Sequence, residues 1–116
     1  MHRFKDLEIW KQSRVMCTDI YNITSSFPDG EKFGLTNQLR RAAVSIPSNI
    51  AEGASRSSGK DFSRFLEIAI GSAYEVETQL LISCDLGFIK EEHLNTTLVK
   101  LDSIVRIIFR FRSTLQ

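Results

Sequence analysis

The stretch GLTNQLRRAAVSIPSNIAEGASRSSGKDF, residues 34–62, decides the fold. Leu39, Ala42, Ala43, Ile46 and Ile50 recur every three or four residues, the spacing that aligns side chains on one face of an α-helix. Pro47 falls inside this pattern. It lacks an N–H, so it removes the helical bond to the carbonyl of Ala43 and is expected to kink the helix. Ser45 and Ser48 are near enough in sequence to satisfy the freed carbonyl. Two short helices meeting at Pro47 are the alternative, but the apolar face resumes in phase at Ile50, which favours one kinked helix. Gly53 weakens the helix, and Ser57-Ser58-Gly59 ends it. Ser58 and Asp61 have capping-box spacing, with Asp in place of the usual Glu, so a third helix starts at once. So tight a turn makes the two helices antiparallel, with facing residues whose numbers sum to about 115–116.

Working outward, helix three continues through Phe62, Phe65, Leu66, Ala69, Ala73, Val76, Leu80 and Cys84 to Gly87. That is about 26 residues, or about 40 Å. Gly71 lies mid-helix at a cost of roughly 1 kcal/mol relative to Ala, which a close helix crossing opposite Ser45 would explain. Upstream, Leu7, Trp10, Cys17, Ile20, Tyr21 and Phe27 predict a helix from about Asp6 to Ser26, stopped by Pro28-Asp29-Gly30. Downstream, a helix is expected from about Glu91 to Thr114. Glu91 and Glu92 suit its positive N-terminal end and Arg110 and Arg112 its negative C-terminal end, although Lys90 is a poor cap. Every loop is short, so each helix turns back on its predecessor. The expected fold is all-α: one domain over residues 1–116, an antiparallel up-down-up-down four-helix bundle with helix two kinked at Pro47.

Composition is that of a folded domain: 42% hydrophobic and 25% charged residues argue against disorder. No run approaches the ~18–20 apolar residues of a membrane span, and MHRFKDLEIW contains no signal-like apolar core. Cys17 and Cys84 are too few and too far apart for a disulfide framework. A cytoplasmic protein with packed, reduced thiols is expected. His2 and His93 are isolated, and HExxH, CxxC and ExxH motifs and a phosphate loop are missing. Glu75 and Glu77 are two apart on a helix and point away from each other, so they form no carboxylate pair. These observations predict no enzyme, no metal, no cofactor, no small-molecule substrate and no membrane.

Three constellations remain. Antiparallel register places Arg40 or Arg41 opposite Glu75, predicting a structural inter-helix ion pair; a polar ligand site is the alternative. In helix four, Ile104, Val105, Ile107, Ile108, Phe109 and Phe111 fill six of eight positions, more than one core-facing stripe needs. The surplus predicts a subunit interface through Ile104, Ile107, Phe109 and Phe111. Finally, up-down-up-down topology gathers residues 1–14, 52–66 and 104–116 at one pole. Ten basic residues lie there (Arg3, Lys5, Lys11, Arg14, Arg56, Lys60, Arg64, Arg106, Arg110 and Arg112) against Asp6, Glu8, Glu52 and Asp61. The pole carries a net +6 in a chain of net +1. A concentrated positive end could bind phosphates, with Lys5, Lys11, Arg56, Lys60, Arg64, Arg106, Arg110 and Arg112 as its candidate nucleic-acid-binding residues. A merely solvated basic end is the alternative.

The segments Phe4-Lys5-Asp6-Leu7, Phe33-Gly34-Leu35, the run from Gln38 through Pro47 to Gly53, and Gly71-Ser72-Ala73-Tyr74-Glu75-Val76-Glu77-Thr78-Gln79-Leu80 follow in order. Over residues 3 to about 89 the chain resembles the bacterial four-helix-bundle proteins encoded in intervening sequences of 23S rRNA genes, often labelled ribosomal proteins. That family is related to the accessory protein of diversity-generating retroelements, a pentameric barrel of such bundles that binds nucleic acid beside a reverse transcriptase. The resemblance implies a homo-oligomer, with a pentamer favoured, that has no enzymatic activity, and it favours RNA or DNA as a partner. A protein-interaction scaffold or adaptor with no nucleic-acid role is the competing expectation.

Overall fold

A computed structural model describes residues 2–115. It contains four helices: α1 (Glu8–Thr24), α2 (Leu35–Ala54), α3 (Gly59–Asp85) and α4 (Glu91–Arg112). Short 3-10 turns at Phe4–Asp6 and Asp29–Glu31 precede α1 and α2. Each helix contributes one stripe at three- and four-residue spacing: Ile9, Met16, Ile20 and Ile23; Leu39, Ala43, Ile46 and Ile50; Phe62, Leu66, Ala69, Ala73, Val76 and Leu80; Leu94, Leu101, Ile104 and Ile108. These stripes meet in a single core.

The helices pack in a ring, α1 on α2, α2 on α3, α3 on α4 and α4 back on α1. Their contacts run antiparallel, since numbers rise on one helix as they fall on its neighbour. Cys17 meets Ala43 and Thr24 meets Arg40 across α1–α2. Ser45 meets Ser72 and Gln38 meets Gln79 across α2–α3. The facing numbers on α2 and α3 therefore sum to 117, slightly beyond the expected 115–116. The Ser58 side chain accepts from the Asp61 N–H at 3.1 Å and starts α3 as its spacing predicts. Lys90 makes no side-chain cap for α4.

Two expectations about α2 and α3 are corrected. Gly71 does not mark the close crossing: it is exposed, and an added Cβ would meet nothing within 4 Å. Ser45 faces Ser72 instead, with the two hydroxyls 2.8 Å apart. The close approach is at Gly53, where a Cβ would lie 2.7 Å from the Cβ of Phe65 and 2.8 Å from Cδ1 of Phe62. Through Pro47 α2 runs as one helix, as the in-phase Ile50 predicts; the second correction concerns the carbonyl that Pro47 frees. Neither Ser45 nor Ser48 serves the carbonyl of Ala43. The Cys17 thiol of α1 donates to it at 3.1 Å, while Ser45 is occupied by Ser72 and by the Asn49 amide. A buried carbonyl left without its helical donor is thus satisfied from the neighbouring helix.

Small-residue packing and the thiol bond each have a measurable consequence. Gly53→Ala is expected to lower stability in urea unfolding by roughly 1–3 kcal/mol, because the overlap outweighs the gain in helix propensity. Gly71→Ala enters open space and is expected to raise stability by up to about 1 kcal/mol. Burial pushes the Cys17 thiol from 9.0 up to about 11, which keeps its proton available for Ala43. Between these values the unfolded chain holds fewer protons than the folded one, so stability falls as pH rises. Unfolding compared at pH about 8 and about 10.5 should show wild type losing more stability than Cys17→Ser, which keeps a donor but does not titrate in this range.

Candidate functional site

The antiparallel order brings the start of α1, the end of α2, the start of α3 and the end of α4 to one end of the bundle. An aromatic cluster closes that end, with Phe62 and Phe111 edge to face at 5.4 Å and His2 within 5.2 and 5.6 Å of the two rings. The N–H of His2 also donates to the carbonyl of Ala54. Lys5, Lys11, Arg56, Lys60, Arg64, Arg106 and Arg110 are exposed around this end, and Arg112 is half-buried.

Not all of this charge is free. Arg112 donates to the Ser63 hydroxyl at 2.8 Å and pairs with Glu67 across α3–α4. Arg106 pairs with Asp102 at 3.0 Å, and Arg56 with Glu52 at 3.2 Å. Arg56 also lies 4.7 Å over the Phe65 ring. Glu67 and Asp102 lie just outside the three pole segments in sequence and belong to the pole in space, lowering its net charge from +6 to +4. Among the described residues, Lys5, Lys11, Lys60, Arg64 and Arg110 are exposed and make no ion pair.

The predicted ion pair is absent: among the described residues neither Arg40 nor Arg41 pairs with Glu75. Arg40 turns towards α1 instead. Its Nε donates to the Thr24 hydroxyl at 2.8 Å, its Nη2 to the Tyr21 carbonyl at 3.4 Å, and its guanidinium lies 4.4 Å over the Tyr21 ring. Tyr21, expected in the apolar stripe of α1, is 44% exposed and acts as this platform. Arg41 and Glu75 are both exposed and border one shallow groove between α2 and α3 without bonding.

The predicted interface on α4 is also corrected. Ile104, Val105 and Ile108 are buried in the chain's own core, Ile107 is half-buried against it, and Phe111 packs on Phe62. Only Phe109 stands out, at 45% exposure. Helix α4 presents a wide apolar face because it packs against both α1 and α3. The apolar side chains left to solvent are spread over the bundle: Val15 on α1, Phe33 before α2, Ile68, Leu81 and Ile82 on α3 with Leu86 just beyond it, and Val99 on α4.

Among the described residues no helix is long and apolar enough to cross a membrane, and no group of three or more His, Cys, Asp or Glu side chains is placed to hold a metal ion. A four-helix bundle with a basic end defines a broad class. Within it, the chain belongs to the 23S rRNA-intervening sequence protein family, whose family model matches residues 5–110. A crystal structure of a protein with unknown function from the S23 ribosomal protein family of Bacteroides thetaiotaomicron shares the fold, with a TM-score of 0.80 and 22% sequence identity. The match covers 90% of this chain and 97% of that one. No curated protein matches the chain.

Proposed function

We propose that this protein is a non-catalytic bundle that binds RNA or DNA through its basic pole. One observation supports this above others. Lys5, Lys11, Lys60, Arg64 and Arg110 are exposed at one end, contributed by different parts of the chain, and among the described residues no carboxylate pairs with any of them. Unpaired surface cations held on a rigid frame suit phosphates, which they reach without breaking an internal ion pair. The bundle end offers no free helix or ribbon to enter a groove, so recognition is of the backbone and sequence preference is slight.

Fluorescence anisotropy with labelled RNA and DNA duplexes tests this. Affinity should fall steeply with salt, because each neutralised phosphate releases condensed counterions. Lys60 and Arg64 are one turn apart on α3, so Lys60→Glu with Arg64→Glu should weaken binding at least tenfold. Lys90→Glu, at the opposite end, should leave it unchanged. No binding at low salt, or equal loss in both variants, transfers the role to a protein-interaction scaffold.

The same reading includes a homo-oligomer, with a pentamer favoured by the resemblance. Its supporting surface is the exposed apolar set on and beside α3 rather than the α4 run. Sedimentation equilibrium should return a multiple of 13.2 kDa, reduced by Leu81→Lys with Ile82→Lys. A constant mass of one chain rejects self-association.

A further inference from the structure

A second cationic surface lies on the flank of α1 and α2, towards the end opposite the basic pole. It is an open groove of about 730 Å³ whose lining includes Tyr21, Lys32, Phe33, Arg40 and Arg41 and no carboxylate. Three features set it apart from an ordinary solvated face. First, Arg40 is half-buried and fixed by neutral partners alone: the Thr24 hydroxyl, the Tyr21 carbonyl and the Tyr21 ring. Partial burial of a guanidinium costs some hydration, and here neutral groups rather than a carboxylate offset it. Second, Arg41 and Lys32 add two exposed cations to the same groove, and Glu75 on the far side of Arg41 forms no pair with it. Third, Phe33 is 86% exposed, the most exposed large hydrophobic side chain among the described residues. Its loop is not slack: the Gly34 N–H donates to the Glu31 carbonyl at 2.9 Å, and the Leu35 N–H to the Glu31 side chain at 3.2 Å. The ring is presented, with the Lys32 ammonium 5.6 Å from its centroid.

One fixed cation and two exposed ones, none of them ion-paired among the described residues, suit an anion, and an exposed aromatic face beside them suits a flat ring. We propose that this groove binds a nucleotide unit, its base stacked on Phe33 and its phosphate held by Arg40, Arg41 and Lys32. An acidic peptide would use the cations and leave the Phe33 face idle. The site is separate from the basic pole, and neither proposal depends on the other. The nucleotide could be free or part of a single strand, since both offer the same base and phosphate.

The full-length protein would be titrated with an end-labelled adenosine hexaribonucleotide, followed by anisotropy, and with adenosine 5′-monophosphate by calorimetry. Base–aromatic stacking is worth about 1–3 kcal/mol, so Phe33→Ala should weaken binding at least about fivefold without moving the thermal unfolding midpoint. Arg41→Glu should weaken it at least tenfold. Both effects should persist in the Lys60→Glu, Arg64→Glu background, which separates this site from the pole. Binding of the monophosphate identifies a single nucleotide as sufficient, and binding of the hexamer alone identifies the strand as the ligand. The proposal is overturned if neither probe binds at low salt, or if Phe33→Ala stays within twofold of wild type. Loss in the pole variant alone would overturn it while leaving the pole reading intact.

Discussion

The contact of Gly53 with Phe62 and Phe65 sets the bundle. At this point the backbone of α2 comes so near α3 that no Cβ fits between them. The turn at Ser55–Ser58 follows within two residues, so the contact fixes where the second helix is laid along the first. Everything beyond it is indexed from there: Ser45 on Ser72, Gln38 on Gln79. The outer helices attach to this pair, α1 through Cys17 and Ala43, and α4 through Arg112, Ser63 and the Phe62–Phe111 contact. Protein interiors are close-packed and deform little, so an error of one residue at Gly53 would displace the surface residues along with the core.

How much of this was legible in the sequence depended on which geometric coordinate was asked for. Helix positions were, because apolar spacing, the breaks at Pro28 and Gly87 and the Ser58 cap report distance along the chain, although α2 stops at Ala54, short of the expected Ser57-Ser58-Gly59. Antiparallel register was nearly so, because a short turn leaves little freedom in height. Rotation about the helix axis was not. Arg40 and Glu75 lie at comparable heights, yet Arg40 projects towards α1 and meets Thr24 and Tyr21. The same gap explains Gly53 and Gly71. Both are helical glycines with one polar and one apolar neighbour, and only azimuth tells that one faces Phe65 and the other water. In α4 the density of apolar residues was visible, but not that two neighbouring helices would share them.

Charge followed a similar rule. Counting residues by segment located the basic end correctly, and missed Glu67 and Asp102 because each lies just beyond a segment boundary. The more telling cations were found by what they lack. Among the described residues Arg40 forms no ion pair, and this was hidden in the sequence by a Glu75 that stood at the right count. Exposed Phe33 was equally hidden, since an apolar residue beside a glycine in a short loop reads as packing until its surroundings are seen.

Cys17 and Pro47 are thirty residues apart and act on one carbonyl in opposite ways. Proline removes the donor that Ala43 would have had within its own helix, and the cysteine supplies one from outside. In lineages that share this fold, the two positions are therefore under a joint constraint. A residue with its own N–H at 47 relieves the demand at 17, whereas proline at 47 selects for a small donor there. Substitutions at these sites are expected to covary, so that an alignment would link them although neither lines the groove beside Phe33.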